Sequence, residues 1–133
     1  MNVFVDTNIF LDLILKREYY KESMLIFNAI EQKMFMGYIL DITILNIDYI
    51  AKKQVKDIRE FLTIINKNFI ISGATNEHIK NALNIENNDL EDNLQYLSAK
   101  ENRCEIIITN DKSFYSKDIE IMSSLEFRSK YLA

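Results

Sequence analysis

The sequence predicts an α/β fold, a three-layer α/β/α sandwich with a central parallel sheet of four to five strands. Short runs of β-branched and aromatic residues alternate along the chain with longer segments of helical periodicity. The clearest run, Ile106-Ile107-Ile108, is apolar on both faces, which is typical of a strand in a parallel sheet that helices cover on both sides. A chain of 133 residues is long enough for one such core and too short for two. We therefore expect residues 1–133 to form a single domain.

The predicted strands and helices follow one another in an order that suits this fold. Strands are expected at residues 2–5, 37–40, 68–71, 105–109 and near 119–122. Helices are expected at residues 9–15, 18–34, 41–53, 55–66, 76–85 and 88–103, with a short helical piece before the fifth strand and a helix at the C-terminus. Thr75 is expected to cap the helix that follows it. The core-facing residues of the segment 18–34 are predicted to be Tyr20, Met24, Phe27, Ile30 and Met34.

Composition narrows the classes of function. A hydrophobic fraction of 48% with 27% charged residues is ordinary for a soluble globular protein. No apolar run approaches ~18 residues, so we expect neither a membrane span nor a signal peptide. The single cysteine fits a reducing cytoplasm, and the single histidine argues against His-rich zinc sites and most triad chemistry. The net charge of −4 argues against a broad nucleic-acid-binding surface but allows an acidic pocket that cations neutralise.

Acidic residues follow two of the predicted strands. Asp6 comes directly after the first strand, and Asp111 comes after the Ile106–Ile108 strand. Each has a local explanation, because Asp is common at helix N-caps and Asn-Asp is common in turns. The carboxyl ends of parallel strands also meet at one edge of a sheet, where the sites of open α/β folds form. Asp6 and Asp111 are therefore expected to converge if their strands are neighbours.

The predicted helix 88–103 carries a second group of acids. At 100° per residue, Asp89, Asp92 and Tyr96 lie within about 60° of one another, on a different face from the leucine stripe that is expected to face the core. The same geometry turns Glu91 nearly opposite to Asp89. Acids in a first helical turn also complement the helix dipole. A structural and a functional interpretation of this group both remain open.

The predicted helix 41–53 contributes one amide. Asn46 shares a face with mostly apolar residues, namely Ile42, Thr43, Tyr49 and Ile50. Asp48 falls on the far side of the helix and is expected to be solvated. A buried amide needs hydrogen-bond partners, so Asn46 is either bonded structurally or part of a site.

Three motifs in the chain resemble those of one known family. They are Val3-Phe4-Val5-Asp6-Thr7-Asn8, then Asp89-Leu90-Glu91-Asp92 with Leu94 and Gln95, and finally Thr109-Asn110-Asp111. In order and spacing they look like the motifs of the PIN domain, a group of small metal-dependent nucleases that includes the VapC toxins of bacterial toxin–antitoxin pairs. The resemblance covers nearly the whole chain. It implies a three-layer α/β/α fold and single-stranded RNA as the usual substrate, with an antitoxin protein as a partner.

The resemblance also assigns roles to residues. Asp6, Asp92 and Asp111 match three of the family's acids, and Asp89 matches an acid found in a subset. The remaining family acid, usually Glu or Asp, falls on Asn46, which departs from the pattern. The predicted catalytic residues are therefore Asp6, Asp92, Asp111 and Asn46, and the predicted metal ligands are Asp6, Asp92, Asp111 and Asp89.

Carboxylate oxygens are the ligands that Mg²⁺ and Mn²⁺ prefer, and either cation would offset the repulsion between the acids. Because Asn46 brings no charge, we expect a single tightly held ion. Thr7, Asn8 and Thr109 are expected to hold the acids in position through hydrogen bonds.

Two alternatives from other classes remain open at this stage. One is a receiver-like α/β module that handles phosphate, although receivers carry paired acids after the first strand. The other is a PIN-like binding or scaffolding module that has lost catalysis. A homodimer is a further expectation, because Met34-Phe35-Met36 offers a hydrophobic patch for a partner.

Overall fold

The computed structural model describes residues 1–132 and has a parallel sheet at its centre. The strands are β1 (Asn2–Val5), β2 (Met36–Leu40), β3 (Phe69–Ser72), β4 (Ile106–Ile108) and β5 (Glu120–Met122). The helices are α1 (Thr7–Ile14), α2 (Tyr20–Glu31), α3 (Asp41–Ala51), α4 (Ile58–Asn68), α5 (Asn76–Leu83), α6 (Leu90–Glu101) and α7 (Ser124–Phe127), and one π-helical turn (Arg128–Leu132) follows. The strands pair in the order β3-β2-β1-β4-β5, and every pair is parallel.

Helices cover both faces of this sheet. Successive side chains of a strand point to opposite faces, so Val3 and Val5 of β1 enter one hydrophobic core and Phe4 enters the other. Residues of α1 to α4 and α7 pack on the first core, and residues of α5 and α6 pack on the second. The predicted three-layer α/β/α sandwich with a central parallel sheet of four to five strands is confirmed, and the sheet has five. No helix among residues 1–132 is long and apolar enough to cross a membrane.

The central position of β1 decides where the polar strand ends meet. β1 lies between β2 and β4, and its register sets Val5 beside Ile108. One residue further on, the Asp6 N–H still donates to the Ile108 carbonyl at 3.0 Å. Asp6 and the segment 109–111 therefore leave the sheet side by side.

Helix α2 ends earlier than predicted. Lys33 adopts a left-handed conformation with φ 62°, and its N–H donates to the Ile30 carbonyl while Met34 N–H donates to the Ala29 carbonyl. These two bonds are the Schellman arrangement that closes a helix. The predicted core stripe is therefore wrong at Met34, which lies beyond the end of the helix and is exposed. It is also wrong at Met24, which lies within the helix on its outer face.

The short helical piece predicted before the fifth strand is not formed. Residues 109–119, all of them described, contain only turns, bends and irregular structure. The Asp111 carboxylate accepts hydrogen bonds from Ser113, and the Ser116 hydroxyl bonds both backbone polar groups of Ile119. Such local side-chain bonds compete with helix formation.

The predicted cap of α5 is confirmed. The Thr75 hydroxyl accepts from His78 N–H at 3.3 Å, and His78 Nδ1 accepts from Thr75 N–H at 3.0 Å. Two N–H groups at the start of the helix are thus satisfied reciprocally.

Gly37 of β2 lies where the sheet packs closely against α2. An added Cβ would lie 2.8 Å from the Phe69 ring and 2.9 Å from Ile30 Cγ2, so a methyl group has no room. We expect Gly37→Ala to lower the free energy of unfolding by about 1–3 kcal/mol, measured by urea denaturation. Gly73→Ala is the control, because its Cβ would lie 3.4 Å from Asp41 Oδ2 at an exposed position. If Gly37→Ala has the same free energy of unfolding as the wild type, this close packing is contradicted.

Candidate active site

Asp6 is a buried carboxylate at the carboxyl end of the central strand. It is 4% exposed, and its two oxygens accept hydrogen bonds from Gln95 Nε2 at 3.1 Å and from Thr109 Oγ1 at 2.8 Å. Asp6 occupies the N-cap position of α1, yet its side chain makes no capping hydrogen bond. The local explanation as a cap therefore does not account for this residue. Its carboxylate is held by α6 and by the end of β4.

Burial raises the pKa of Asp6, because the charged form loses its hydration. The hydrogen bonds from Thr109 and Gln95 oppose this rise, since they stabilise the ionised form. The charge of Asp111 raises the pKa of Asp6 further. The acids that follow β1 and β4 are thus close enough to repel each other.

The loop after β4 fixes Asp111. Its Oδ1 accepts from Ser113 N–H at 2.9 Å and from Ser113 Oγ at 2.7 Å, and its own N–H donates to Thr109 Oγ1 at 3.1 Å. The Thr109 hydroxyl therefore accepts from the Asp111 backbone while it donates to Asp6. One buried threonine links the two acids, in line with the supporting position predicted for it.

The other two predicted supporting residues do not bond an acid through their side chains. The Thr7 hydroxyl lies 3.1 Å from the Thr43 hydroxyl and joins α1 to α3. Asn8 is exposed.

Asp89 caps helix α6, and this changes the geometry of the second acidic group. Asp89 is extended, with φ −85° and ψ 96°, and its Oδ1 accepts from Asp92 N–H at 3.0 Å. The rule of 100° per residue does not apply to a residue outside the helix. Glu91, which the sequence analysis set nearly opposite to Asp89, lies within α6 and accepts a hydrogen bond from Asn46 of α3.

Asp92 is a second buried carboxyl group of the site. It is 7% exposed, and burial raises its pKa from 3.8 to about 7, together with the charges of Asp89, Asp6, Asp111 and Glu91. All four of these neighbouring charges are negative. The structure thus surrounds Asp92 with negative charge.

Asn46 meets Glu91 across the space between α3 and α6. The half-buried amide donates from Nδ2 to Glu91 Oε1 at 2.5 Å. Burial raises the pKa of Glu91, the charge of Asp6 adds to the rise, and the bond from Asn46 opposes it. Asn46 therefore contacts an acidic residue, Glu91, that was not among the predicted site residues.

The rest of α3 differs from its prediction. Tyr49 and Ile50 were expected to share a buried face with Asn46, but they are 77% and 40% exposed. The helix instead buries Thr43, Ile47 and Ala51, which follow at intervals of four residues. The expectation that Asp48 is solvated was also too simple, because Asp48 is half-buried in a groove between α3 and α4.

In the sequence analysis, Glu91 and Gln95 were named in a motif, but neither was assigned a role in the site. They are four residues apart and so share a face of α6, which is the signal that could have found them. Gln95 is fully buried and donates to Asp6, while its Oε1 has no hydrogen-bond partner among residues 1–132. A buried glutamine in a helix is unusual enough to deserve a search for its partner.

The side chains of this site fit a hard divalent cation by charge and by chemistry. They offer carboxylate oxygens, and a cation would relieve the repulsion that raises the pKa of Asp92. Within the described part of the chain, no three Asp, Glu, His or Cys side chains already form a ligand set. Oxygens of Asp6 and Asp111 are instead engaged by hydrogen bonds to neighbouring residues.

Fold and site together define a small α/β domain with an acidic site at the carboxyl ends of its strands. Residues 2–113 match the model of the PIN domain, and the chain belongs to the PIN domain family. This confirms the family to which the three motifs pointed and removes the receiver-like alternative.

Similar proteins agree with this assignment. Ribonuclease VapC1 of Aquifex aeolicus (strain VF5) is 32% identical over 140 residues, which cover 97% of this chain and 94% of the relative. The crystal structure of VapBC2 from Rickettsia felis bound to a DNA fragment from its promoter matches with a TM-score of 0.66. That match covers 92% of this chain and 98% of the other at 14% identity, so it supports the fold alone.

The raised pKa of Asp92 predicts how stability depends on pH without metal. A carboxyl group whose pKa is raised by folding stabilises the fold fully below about pH 3.8, and this contribution is lost as the pH rises through about 7. Asp92→Asn removes the charge, so we expect a higher melting temperature than the wild type at pH 8 in EDTA. Asp48→Asn is the control, with no such increase expected. A melting temperature of Asp92→Asn at or below the wild-type value would contradict the repulsion.

Proposed function

We propose that this chain is a metal-dependent endoribonuclease that hydrolyses phosphodiester bonds of single-stranded RNA. The observation that carries the proposal is the position of Asp6 at the end of β1, next to the end of β4 and Asp111, with its carboxylate bonded by Thr109 and by Gln95 of the helix that also carries Asp92. The relative named Ribonuclease VapC1, which is similar over almost the full length, supports the class of reaction. The alternative of a scaffolding module without catalysis gives no reason for burying repelling carboxylates.

The residues of the chain have distinct roles in this proposal. Asp6, Asp92 and Asp111 would hold the metal ion, with Asp89 as a fourth acidic residue nearby. Thr109 and Gln95 fix the orientation of Asp6, so that little reorganisation is needed when the site binds its ligands.

Asp89 also fixes the start of α6, because it caps the backbone at Asp92. Asn46, predicted as catalytic, would act through Glu91 rather than directly, since its amide points to that carboxylate.

Mg²⁺ or Mn²⁺ is the cofactor that suits this set of oxygen donors. When bound, such an ion supplies Lewis-acid chemistry that activates water and stabilises the charge of the attacked phosphate. Asp92 would release its proton on metal binding, because a carboxylate binds a metal in its ionised form. Metal affinity is therefore expected to increase from pH 6 to pH 8.

The wider biological role proposed here is that of a toxin neutralised by an antitoxin protein. The structural neighbour from Rickettsia felis, described as a VapBC2 complex, and the similarity to Ribonuclease VapC1 support such a partner. A homodimer is also proposed, because Met34 and Met36 are 56% and 43% exposed and form part of the surface. A cytoplasmic location is proposed as well, because the single cysteine, Cys104, is a free thiol and fits a reducing compartment.

The proposal predicts which acids cleavage requires. We expect Asp6→Asn, Asp92→Asn and Asp111→Asn each to slow cleavage of a single-stranded RNA by at least about 100-fold, because each removes a charge from the metal site. Asp48→Asn should cleave at the wild-type rate. Rates are measured with Mn²⁺ and with EDTA on proteins of verified fold. Cleavage by the wild type in EDTA, or equal loss in Asp48→Asn, would contradict the assignment.

A further inference from the structure

Asn46 and Glu91 form a hydrogen-bonded pair between two elements that lie 45 residues apart in the sequence. Both side chains are half-buried, and the amide nitrogen lies 2.5 Å from the carboxylate oxygen. An ionised carboxylate can only accept hydrogen bonds, so its partner must be a donor. Asparagine at position 46 meets this requirement, whereas an aspartate there would place two carboxylates in contact.

Glu91 lies on the face of α6 that looks toward Asp6. Gln95, four residues later on the same face, donates directly to the Asp6 carboxylate. The same glutamine is fully buried, and its Oε1 has no hydrogen-bond partner among residues 1–132. The face of α6 that carries Glu91 therefore also presents an unsatisfied oxygen next to Asp6.

A purely structural role does not explain this position. A half-buried carboxylate loses part of its hydration, and a single amide bond only partly offsets that cost. A neutral glutamine at position 91 would keep the bond to Asn46 without the cost of burying a charge. The charge itself is thus the feature that needs a reason, and a bound cation supplies one.

We propose that Glu91 is an acidic ligand residue of the divalent-metal site and that Asn46 is the positioning residue that holds it there. The family pattern has an acidic residue at position 46. In this chain Asn46 is neutral, and the negative charge is carried by Glu91, to which Asn46 donates. This inference rests on the proposed metal-dependent function.

Calorimetric titration of the full chain with Mn²⁺ tests the proposal through four variants. Glu91→Gln should weaken Mn²⁺ binding at least about tenfold, because it removes the charge and keeps the shape. Asn46→Asp should bind Mn²⁺ more tightly and melt at a lower temperature in EDTA, because two carboxylates then face each other. Glu60→Gln, at an exposed position of α4, is the charge-matched control and should bind as the wild type does.

The double variant Asn46→Asp with Glu91→Gln separates charge from folding defects. It exchanges the two groups, so that a glutamine amide donates to an aspartate carboxylate and one negative charge remains. We expect its Mn²⁺ affinity to return to within about threefold of the wild type, since the pair is strongly coupled. If Glu91→Gln fails to fold, the double variant is compared with the wild type, and a loss of affinity of more than about tenfold would overturn the proposal.

The outcomes distinguish the two proposals. Wild-type Mn²⁺ affinity in Glu91→Gln, combined with lost affinity in Asp92→Asn, would overturn the role of Glu91 and leave the metal-dependent function in place. A double variant that binds no better than Glu91→Gln would also overturn it. A wild-type chain that does not bind millimolar Mn²⁺ would overturn the metal-dependent function, and the role of Glu91 with it.

Discussion

A carboxylate can be buried only where hydrogen bonds or a cation replace its hydration, and Asp6 meets this condition at the centre of the sheet. Its two oxygens are bonded by Thr109 from the end of β4 and by Gln95 from α6. Three elements that are distant in sequence must therefore be in place before this one charge is tolerated. The parallel pairing of β1 with β4 is what brings them together.

The remaining acids increase the electrostatic cost rather than relieve it. Asp92 is buried, and the negative charges of Asp89, Asp6, Asp111 and Glu91 raise its pKa further. Stability of the metal-free fold is therefore reduced by the same charges that would bind a cation. Such a balance is common where a site is built for function at the expense of stability.

Much of the fold is predictable from local patterns, because each strand and most helices contain their own signal. The triple isoleucine of β4, the short apolar run of β1 and the Thr75 cap are examples. Two helix boundaries were wrong where the backbone departs from the regular helix, because the left-handed Lys33 ends α2 early and the extended Asp89 precedes α6. The exposed residues Met24, Tyr49 and Ile50 were misassigned within regular helices.

The part of the site that lies at the ends of the strands was predictable from the sequence. Asp6 and Asp111 follow neighbouring parallel strands, so their proximity comes from topology alone. The pair of Asn46 and Glu91 could not be predicted, because it depends on how α3 and α6 approach each other across the end of the sheet. No pattern within either segment encodes that distance.

The central claim is that this acidic edge of the sheet holds a divalent cation. Crystals of the wild-type chain soaked in Mn²⁺ test it most directly, through an anomalous difference map recorded near the manganese absorption edge. We expect a peak in contact with the carboxylates of Asp6, Asp92 and Asp111. A map without a peak there, or with peaks only at exposed acids elsewhere on the surface, would contradict the claim.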